Sequence, residues 1–357
     1  MELGISSFGE VAPAHVAGGD QAAAQRIQEL VALGRQADAA GLDVVAIGEH
    51  HRADYVVSAP EVVLAAVAAV TKQVRLTSAV TVLSSTDPVR TFQNFATLDL
   101  LSNGRAEIIA GRGSFIESFP LFGQDLSDYD ALFAEKLGLL MQLNEQEVIT
   151  WQGKHRPAIA GKGVYPRPVQ PRLPIWIGVG GTPASAVRAG SLGLGLTVAI
   201  LGGAPAQYAT FADIFRRAAQ QAGHDAAALP LCVNCHFHLA ENSKQAADEF
   251  FPAYALVMNR IGRERGWQPM SRAQFDYLRG PQGPLFVGTP QEITDKLLYL
   301  SRVFNNTRFI GQLMLEGMPH EAVLHSTELF GTQVAPAIRA ALASRQPQQA
   351  AAPASIA

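Results

Sequence analysis

The sequence predicts an α/β fold, a (β/α)₈ TIM barrel with insertion loops. Strand-like apolar runs alternate with helix-like segments along most of the chain, which is the pattern of a parallel sheet with crossover helices. The alternation repeats roughly eight times, and barrels of this kind commonly form one unit at a length such as 357 residues. The predicted strands are 3–8, 44–47, 75–82, 106–110, 175–179, 195–199, 231–239 and 308–312.

Helix signals follow the strands in order. The first helix spans about 21–40 and ends before Gly41, a residue typical of helix C-termini. The second begins near Ser58 with Pro60 in its first turn, and the third begins at Asp87-Pro88. Helical segments also follow the later strands, so every predicted strand has a crossover.

Two stretches are longer than a barrel connection requires. Residues 153–174 are irregular and rich in proline and glycine, and 263–284 are long enough to form a lid before the last strand. The last residues, 346–357, are mostly alanine, glutamine and proline, a composition typical of disorder. We therefore predict a single domain over 1–345 and a disordered tail.

Composition excludes several classes of protein. Residues are 48% hydrophobic and 17% charged, with a net charge of −3, so a polybasic surface for nucleic acid or membranes is not expected. No apolar run approaches the ~18 residues that a membrane span needs, and the N-terminus does not read as a secretory signal. A cytoplasmic enzyme acting on a small molecule is the expectation.

Strand alternation predicts which side chains face the barrel interior, because the opposite face must pack on helices. Ser6 and Phe8 face inward in the first strand, and Trp176 faces inward with the glycines of the fifth. His236 and His238 face inward in the seventh strand. The last three are candidates for a substrate pocket, although each also suits a core position.

His50 is the candidate catalytic residue. It lies just beyond the second strand in the run Gly48-Glu49-His50-His51, and α/β barrels place their chemistry at the C-terminal ends of strands. Alternation directs His50 to the barrel mouth and His51 to the opposite face. A core histidine bonded to nearby backbone is the alternative.

No metal or haem site is predicted. The run Cys232-Val233-Asn234-Cys235-His236 matches the haem-attachment spacing, but alternation places the two sulfur atoms on opposite faces of a strand. The helical histidine pair of metalloproteases is missing as well. We interpret the two cysteines as free thiols.

Two loops suggest a phosphate site. The run Gly178-Val179-Gly180-Gly181-Thr182-Pro183 follows a strand and begins a helix, where backbone N–H groups and the helix dipole favour an anion. Arg112 lies in a glycine-rich turn after the fourth strand and adds a permanent positive charge. The sequence thus predicts one phosphate between two loops.

Seven short motifs follow one another along the chain: Glu49-His50-His51, Thr77-Ser78-Ala79-Val80, Asp87-Pro88-Val89-Arg90, Leu101-Ser102-Asn103-Gly104-Arg105, Pro166-Arg167-Pro168-Val169-Gln170-Pro171, Pro174-Ile175-Trp176-Ile177-Gly178 and Val287-Gly288-Thr289-Pro290-Gln291-Glu292. With this ordered set, the chain resembles the bacterial-luciferase-like family of flavin-dependent monooxygenases over residues 1–340.

The resemblance implies an FMN-dependent monooxygenase. Reduced FMN would come from a separate reductase, bind at the C-terminal mouth of the barrel and react with O₂ to a C4a-peroxyflavin that oxygenates a small organic substrate. His50 matches the family's active-site histidine, and Ala79-Val80 matches a non-prolyl cis peptide under the flavin ring. Ser6 and Phe8 are expected near the ring, and the positions matching the phosphate site are Arg112, Gly180, Gly181 and Ser185. Family members commonly form dimers or tetramers.

This sequence differs from the light-emitting enzyme of the family, and other functions are compatible with the same fold. Gly111 replaces the reactive thiol of the light-emitting enzyme, and Gly180 and Gly181 replace a glutamate and a serine, so light emission is not expected. An F420-dependent hydride-transfer enzyme has the same fold. A non-catalytic flavin-binding protein and a metal-dependent barrel hydrolase are further alternatives.

Overall fold

Parallel strands close into a barrel in the computed structural model, which describes residues 1–12, 19–113, 115–314 and 316–344. The barrel order is β1-β2-β3-β5-β8-β9-β10-β12, with β12 paired to β1, and this confirms the predicted fold class. The strands are β1 Glu2–Ser7, β2 Val44–Ile47, β3 Arg75–Ser78, β4 Thr81–Val82, β5 Ala106–Gly111, β6 Val148–Trp151, β7 Ile159–Gly163, β8 Ile175–Val179, β9 Gly195–Ile200, β10 Leu231–Leu239, β11 Phe286–Gly288 and β12 Arg308–Gln312.

Helices surround the barrel. The third helix is capped at its start by Asp87, whose side chain accepts from the backbone N–H groups of Val89 and Arg90. No helix of the described ranges is both long and apolar enough to cross a membrane. The helices are α1 Gly19–Ala39, α2 Pro60–Val70, α3 Pro88–Ser102, α4 Ser118–Leu121, α5 Tyr129–Glu145, α6 Pro183–Ser191, α7 Ala209–Gln221, α8 Ser243–Arg265, α9 Arg272–Leu278, α10 Pro290–Phe304, α11 His320–Leu329 and α12 Ala335–Ala343.

In β1, β2 and the first half of β10 the strand faces follow the predicted alternation. Leu3 and Ile5 belong to the large core between barrel and helices, whereas Val44 and Ala46 belong to a smaller core inside the barrel. The two cysteines also separate, because Cys232 lies in the inner core and Cys235 in the outer one. Both are free and buried. Burial raises the pKa of the Cys232 thiol to about 12, so it stays protonated.

Three connections differ from the sequence prediction. The predicted strand 75–82 is interrupted between β3 and β4, where the peptide bond joining Ala79 and Val80 is cis. Part of the stretch 153–174 forms β7, which pairs antiparallel with β6. The short strand β11 adds to β10 beside the barrel. The predicted tail, 346–357, lies outside the described residues.

The stretch 263–284, the lid candidate, packs on α8 and also reaches the mouth of the barrel. It contains α9, whose Phe275 is fully buried and contacts Phe250, Phe251 and Tyr254 of α8. At its start, Glu264 accepts from Arg52 at 2.6 Å, and the Arg265 guanidinium lies 5.8 Å from the ring centroid of Phe115. A lid role for this stretch stays a prediction.

Candidate active site

A cavity of about 1150 Å³, counting the solvent at its opening, lies at the C-terminal mouth of the barrel. It receives the ends of most barrel strands, which is where barrels of this kind bind ligands. The structure brings most of the predicted site together there: the lining includes Phe8, His50, Ala79, Val80, Arg112, Gly180 and Gly181.

His50 faces the cavity within a group of aromatic rings. Its ring centroid lies 4.7 Å from Phe8, 4.3 Å from Tyr55 and 5.0 Å from Phe115. Its backbone N–H donates to the carbonyl of Val57 at 2.9 Å, which fixes the chain beyond β2. Burial in these surroundings lowers the pKa of His50 to about 4. The imidazole is therefore neutral at physiological pH and offers one N–H and one lone pair.

Glu49 links two strand ends at the cavity, which it also lines. Glu49 Oε2 accepts from the backbone N–H of Val82 at 2.8 Å, and Glu49 Oε1 lies 2.9 Å from His51 Nε2. Glu49 thus connects the end of β2 to β4, just after the cis peptide. The sequence argument did not assign this role to Glu49.

Val80 fills the space left by two glycines. A Cβ atom on Gly111 would lie 2.4 Å from Val80 Cγ2, and one on Gly178 would lie 2.8 Å from Val80 Cγ1. Both glycines are therefore required by close packing rather than by backbone conformation. The same contact explains why position 111 has no room for a thiol side chain in this chain.

Positive charge collects at one end of the cavity. Arg112 donates to Asp130 at 2.5 Å and to Ser185 Oγ at 3.3 Å. Burial, and next the charge of Arg112, lower the pKa of Arg188 on the same helix as Ser185. An anion bound here reduces this repulsion.

The start of α6 completes the anion site. Thr182 precedes the helix and its side chain does not cap it. Pro183 has no N–H and the Ser185 N–H donates to the Thr182 carbonyl at 3.0 Å, so the Ala184 N–H is the first-turn donor left for a ligand. Gly180 and Gly181 are exposed, and a Cβ on either would meet no atom within 4 Å. The loop therefore leaves room for a phosphate group to approach its backbone, and the residues present fit FMN.

Ser6 and Ser185 lie behind the cavity wall. Ser6 is 3% exposed and accepts from Asn234 Nδ2 at 3.2 Å. Ser185 is 2% exposed and contacts the cavity through Arg112. Each serine thus positions a lining residue.

Trp176, His236 and His238 do not line the cavity. Trp176 lies deeper in the barrel, with the Arg308 guanidinium 4.4 Å from its ring centroid. His236 packs edge-on against Tyr254 of α8, with ring centroids 5.3 Å apart, and His238 Nε2 lies 2.8 Å from Glu249 of the same helix. The prediction that these two histidines face the barrel interior is therefore wrong, because α8 covers this face at the end of β10. Alternation correctly turned Trp176 inward, but it carries no information on depth along the barrel.

The sequence argument also missed Gln312. This residue ends β12 and lines the cavity. The signal was available, because alternation in β12 turns Arg308, Ile310 and Gln312 to one face and Phe309 to the other.

Comparison with known proteins agrees with this site. The sequence model of the luciferase-like monooxygenase family matches residues 1–304. The chain therefore belongs to the luciferase-like monooxygenase family, and it is an enzyme of that class.

Named relatives include oxygenases and an F420-dependent enzyme. The N-acetyl-S-alkylcysteine monooxygenase of Bacillus subtilis is 26% identical over 82% of this chain and 88% of its own length. The F420-dependent glucose-6-phosphate dehydrogenase of Amycolatopsis mediterranei is 31% identical over 47% of this chain and 52% of its own.

Solved structures are similar over nearly the whole chain. The monooxygenase RslO1 from Streptomyces bottropensis has a TM-score of 0.81 at 26% identity and covers 94% of this chain and 99% of its own. The oxygenating constituent of 3,6-diketocamphane monooxygenase from Pseudomonas putida, in complex with FMN, has a TM-score of 0.75 at 20% identity and covers 95% and 98%. The second likeness concerns the fold alone.

Proposed function

We propose that the chain is an FMN-dependent monooxygenase that uses reduced FMN and O₂ to oxygenate a small organic substrate. The observation that carries this proposal is one cavity with a phosphate-sized cationic end and a neutral histidine at its mouth. Similarity to named monooxygenases over most of the chain supports it. Reduced FMN, when bound, supplies the electrons for reaction with O₂.

The chain's own residues bind and shield the cofactor. Arg112 and the start of α6 would hold the phosphate, and Val80 would contact the ring system. Phe8, Tyr55 and Phe115 keep water from the space around His50. Neutral His50 then holds or passes a proton at the reacting edge of the ring.

In this proposal a separate reductase supplies reduced FMN, as membership of the family suggests. We also propose that the chain forms a dimer or tetramer, because members of the family commonly do so. Size-exclusion chromatography with light scattering measures that state directly.

An anaerobic titration with reduced FMN tests the proposal. We expect saturable binding, followed on admission of air by slower flavin reoxidation than in free solution, recorded in the near-ultraviolet. Reoxidation at the rate of free flavin, despite binding, would argue against oxygen activation. Failure to bind reduced FMN would remove the FMN assignment altogether.

The role of His50 is tested by His50→Asn with His224→Asn as the matched control. His224 is exposed and lies outside the cavity. We expect His50→Asn to lower turnover roughly 10²–10⁴-fold, the usual range for a general acid or base, while FMN affinity changes little. Because the pKa of His50 is about 4, turnover of the unaltered enzyme will show no His50 titration between about pH 6 and pH 8.

A second candidate is hydride transfer with F420. The relative from Amycolatopsis mediterranei favours it, since that protein is named as F420-dependent. Parallel titrations with FMN and F420 decide between the two. Tighter binding of F420, with no O₂ consumption, would replace the monooxygenase proposal.

A further inference from the structure

Gln312 presents an amide to the cavity. Its side chain lines the cavity although the residue as a whole is only 3% exposed. It makes no side-chain hydrogen bond within the part of the chain that the structure describes. The amide can therefore bind water in the open cavity, and a ligand that displaces this water has to pair with the amide or lose free energy.

Asn234 lies beside it on the neighbouring strand. Its Nδ2 donates to the backbone carbonyl of Ile310 at 2.9 Å and to Ser6 Oγ at 3.2 Å. A carbonyl only accepts, so this contact fixes the orientation of the amide. Asn234 Oδ1 is thus left as an acceptor for the cavity that Asn234 lines. The two amides together offer a donor and acceptors on one wall.

This wall lies across the barrel from the phosphate end. In the closed order β1-β2-β3-β5-β8-β9-β10-β12, β12 is four strands from β5 in either direction. Gln312 ends β12 and Arg112 follows β5, so the two face each other across the mouth. A ligand whose phosphate binds Arg112 and whose body spans the mouth reaches the amide wall with its far side.

The rest of the wall near the ring is less polar. Val179, Ala199 and Leu201 line the cavity along β8 and β9, and Thr197 adds one hydroxyl. A flavin has one apolar edge, the dimethylbenzene ring, and one polar edge, the pyrimidine ring with an N–H between two carbonyls. Polar groups that are buried together pair with each other. The apolar edge of the flavin therefore matches the β8–β9 wall, and its polar edge matches the wall with the two amides.

We propose that Gln312 and Asn234 bind the pyrimidine edge of the flavin and so set the orientation of the ring in the cavity. Asn234 Oδ1 accepts the ring N–H, and Gln312 Nε2 donates to the neighbouring ring carbonyl. This inference rests on the proposed FMN function and names the contacts of that same site.

Fluorescence titration of the full chain with oxidised FMN and with its N3-methyl derivative tests the contact. We expect the unaltered protein to prefer FMN by about tenfold or more, since methylation removes the donor. Gln312→Leu should weaken FMN about tenfold, and riboflavin by the same factor, because the phosphate end is intact. Gln220→Leu, on the exposed face of α7, is the control and should bind FMN normally.

Three outcomes separate the possibilities. Equal binding of FMN and its N3-methyl derivative, or Gln312→Leu binding FMN within twofold of the unaltered protein, overturns the contact while the FMN proposal stands. Absence of any flavin binding by the unaltered protein removes both. If Gln312→Leu does not fold, Gln312→Met keeps the side-chain length and the same loss of affinity is expected.

Discussion

The two ends of the barrel interior use polar residues in opposite ways, and strand β12 contains an example of each. At the N-terminal end, Arg308 donates to both carboxylate oxygens of Glu107, at 2.6 and 3.2 Å, and to Glu2 at 2.7 Å. Four residues later, at the mouth, Gln312 has no side-chain partner among the described residues. The ion pairs of Arg308 stabilise the fold, whereas the amide of Gln312 is available to a ligand.

The two ends of the barrel also differ in how their charged side chains are paired. Burial alone raises the pKa of Glu107, but the ion pairs with Arg308 and Arg75 outweigh it and hold the pKa below its ordinary value. At the mouth, the one carboxylate that pairs with Arg112 among the described residues is Asp130, whose side chain is 75% exposed. The Arg112 charge is therefore more accessible to a bound phosphate than that of Arg308, whose side chain is 2% exposed and paired with Glu107.

Breaking the paired end gives the largest expected effect. Glu107→Gln leaves Arg308 buried without its main counter-charge, and we expect the free energy of unfolding to fall by roughly 3–5 kcal/mol. Urea denaturation measures it. Glu145→Gln, at the exposed pair with Arg172, is the control and should cost about 0–1 kcal/mol. A loss at position 107 as small as the control would contradict the structural role.

Breaking the cationic end should affect binding rather than folding. Arg112→Ala removes a charged hydrogen-bond donor, so FMN affinity should fall roughly 10- to 100-fold. Riboflavin, which lacks the phosphate, should bind nearly unchanged. Arg172→Ala, at a 67% exposed side chain, serves as control. Equal losses of FMN and riboflavin would show that Arg112 does not bind the phosphate.

Gly111→Ala tests the packing under the ring. The new Cβ would press on Val80, and we expect a loss of roughly 1–3 kcal/mol of unfolding free energy, typical of overpacking, together with weaker FMN binding. The double variant Gly111→Ala with Val80→Ala should recover stability. Gly138→Ala in α5, whose Cβ would lie 3.6 Å from the nearest atom, is a control with no expected loss.

The smallest expected effect is that of replacing His236 on the pH dependence of the unfolding free energy. Burial lowers its pKa to about 4, so the unfolded chain binds the proton more readily between about pH 6.5 and pH 4. Stability must therefore fall as pH falls through that window. His236→Phe should remove on the order of 1–2 kcal/mol of the difference in unfolding free energy between pH 7 and pH 5. His50 contributes with the same sign, so some slope remains; an unchanged slope would contradict the burial argument.

Much of the candidate site could be predicted from the sequence, because the end of a strand is recognisable from the residues around it. Arg112, Gly180 and His50 each follow an apolar run, and parallel strands bring such ends together. Gln312 carries the same local mark but was passed over, since a neutral amide becomes informative only when its partners are known. The assignment of these residues to FMN remains a proposal.

By itself, the sequence determined the barrel, the inward and outward faces of strands such as β1 and β2, and the family motifs, because these depend on periodicity and order along the chain. Only the tertiary structure decided depth and pairing. In the structure, Trp176 lies at the base of the barrel against Arg308, and His238 contacts Glu249. Helix α9 packs on α8. Each outcome depends on contacts between residues distant in sequence, and no local pattern records such contacts.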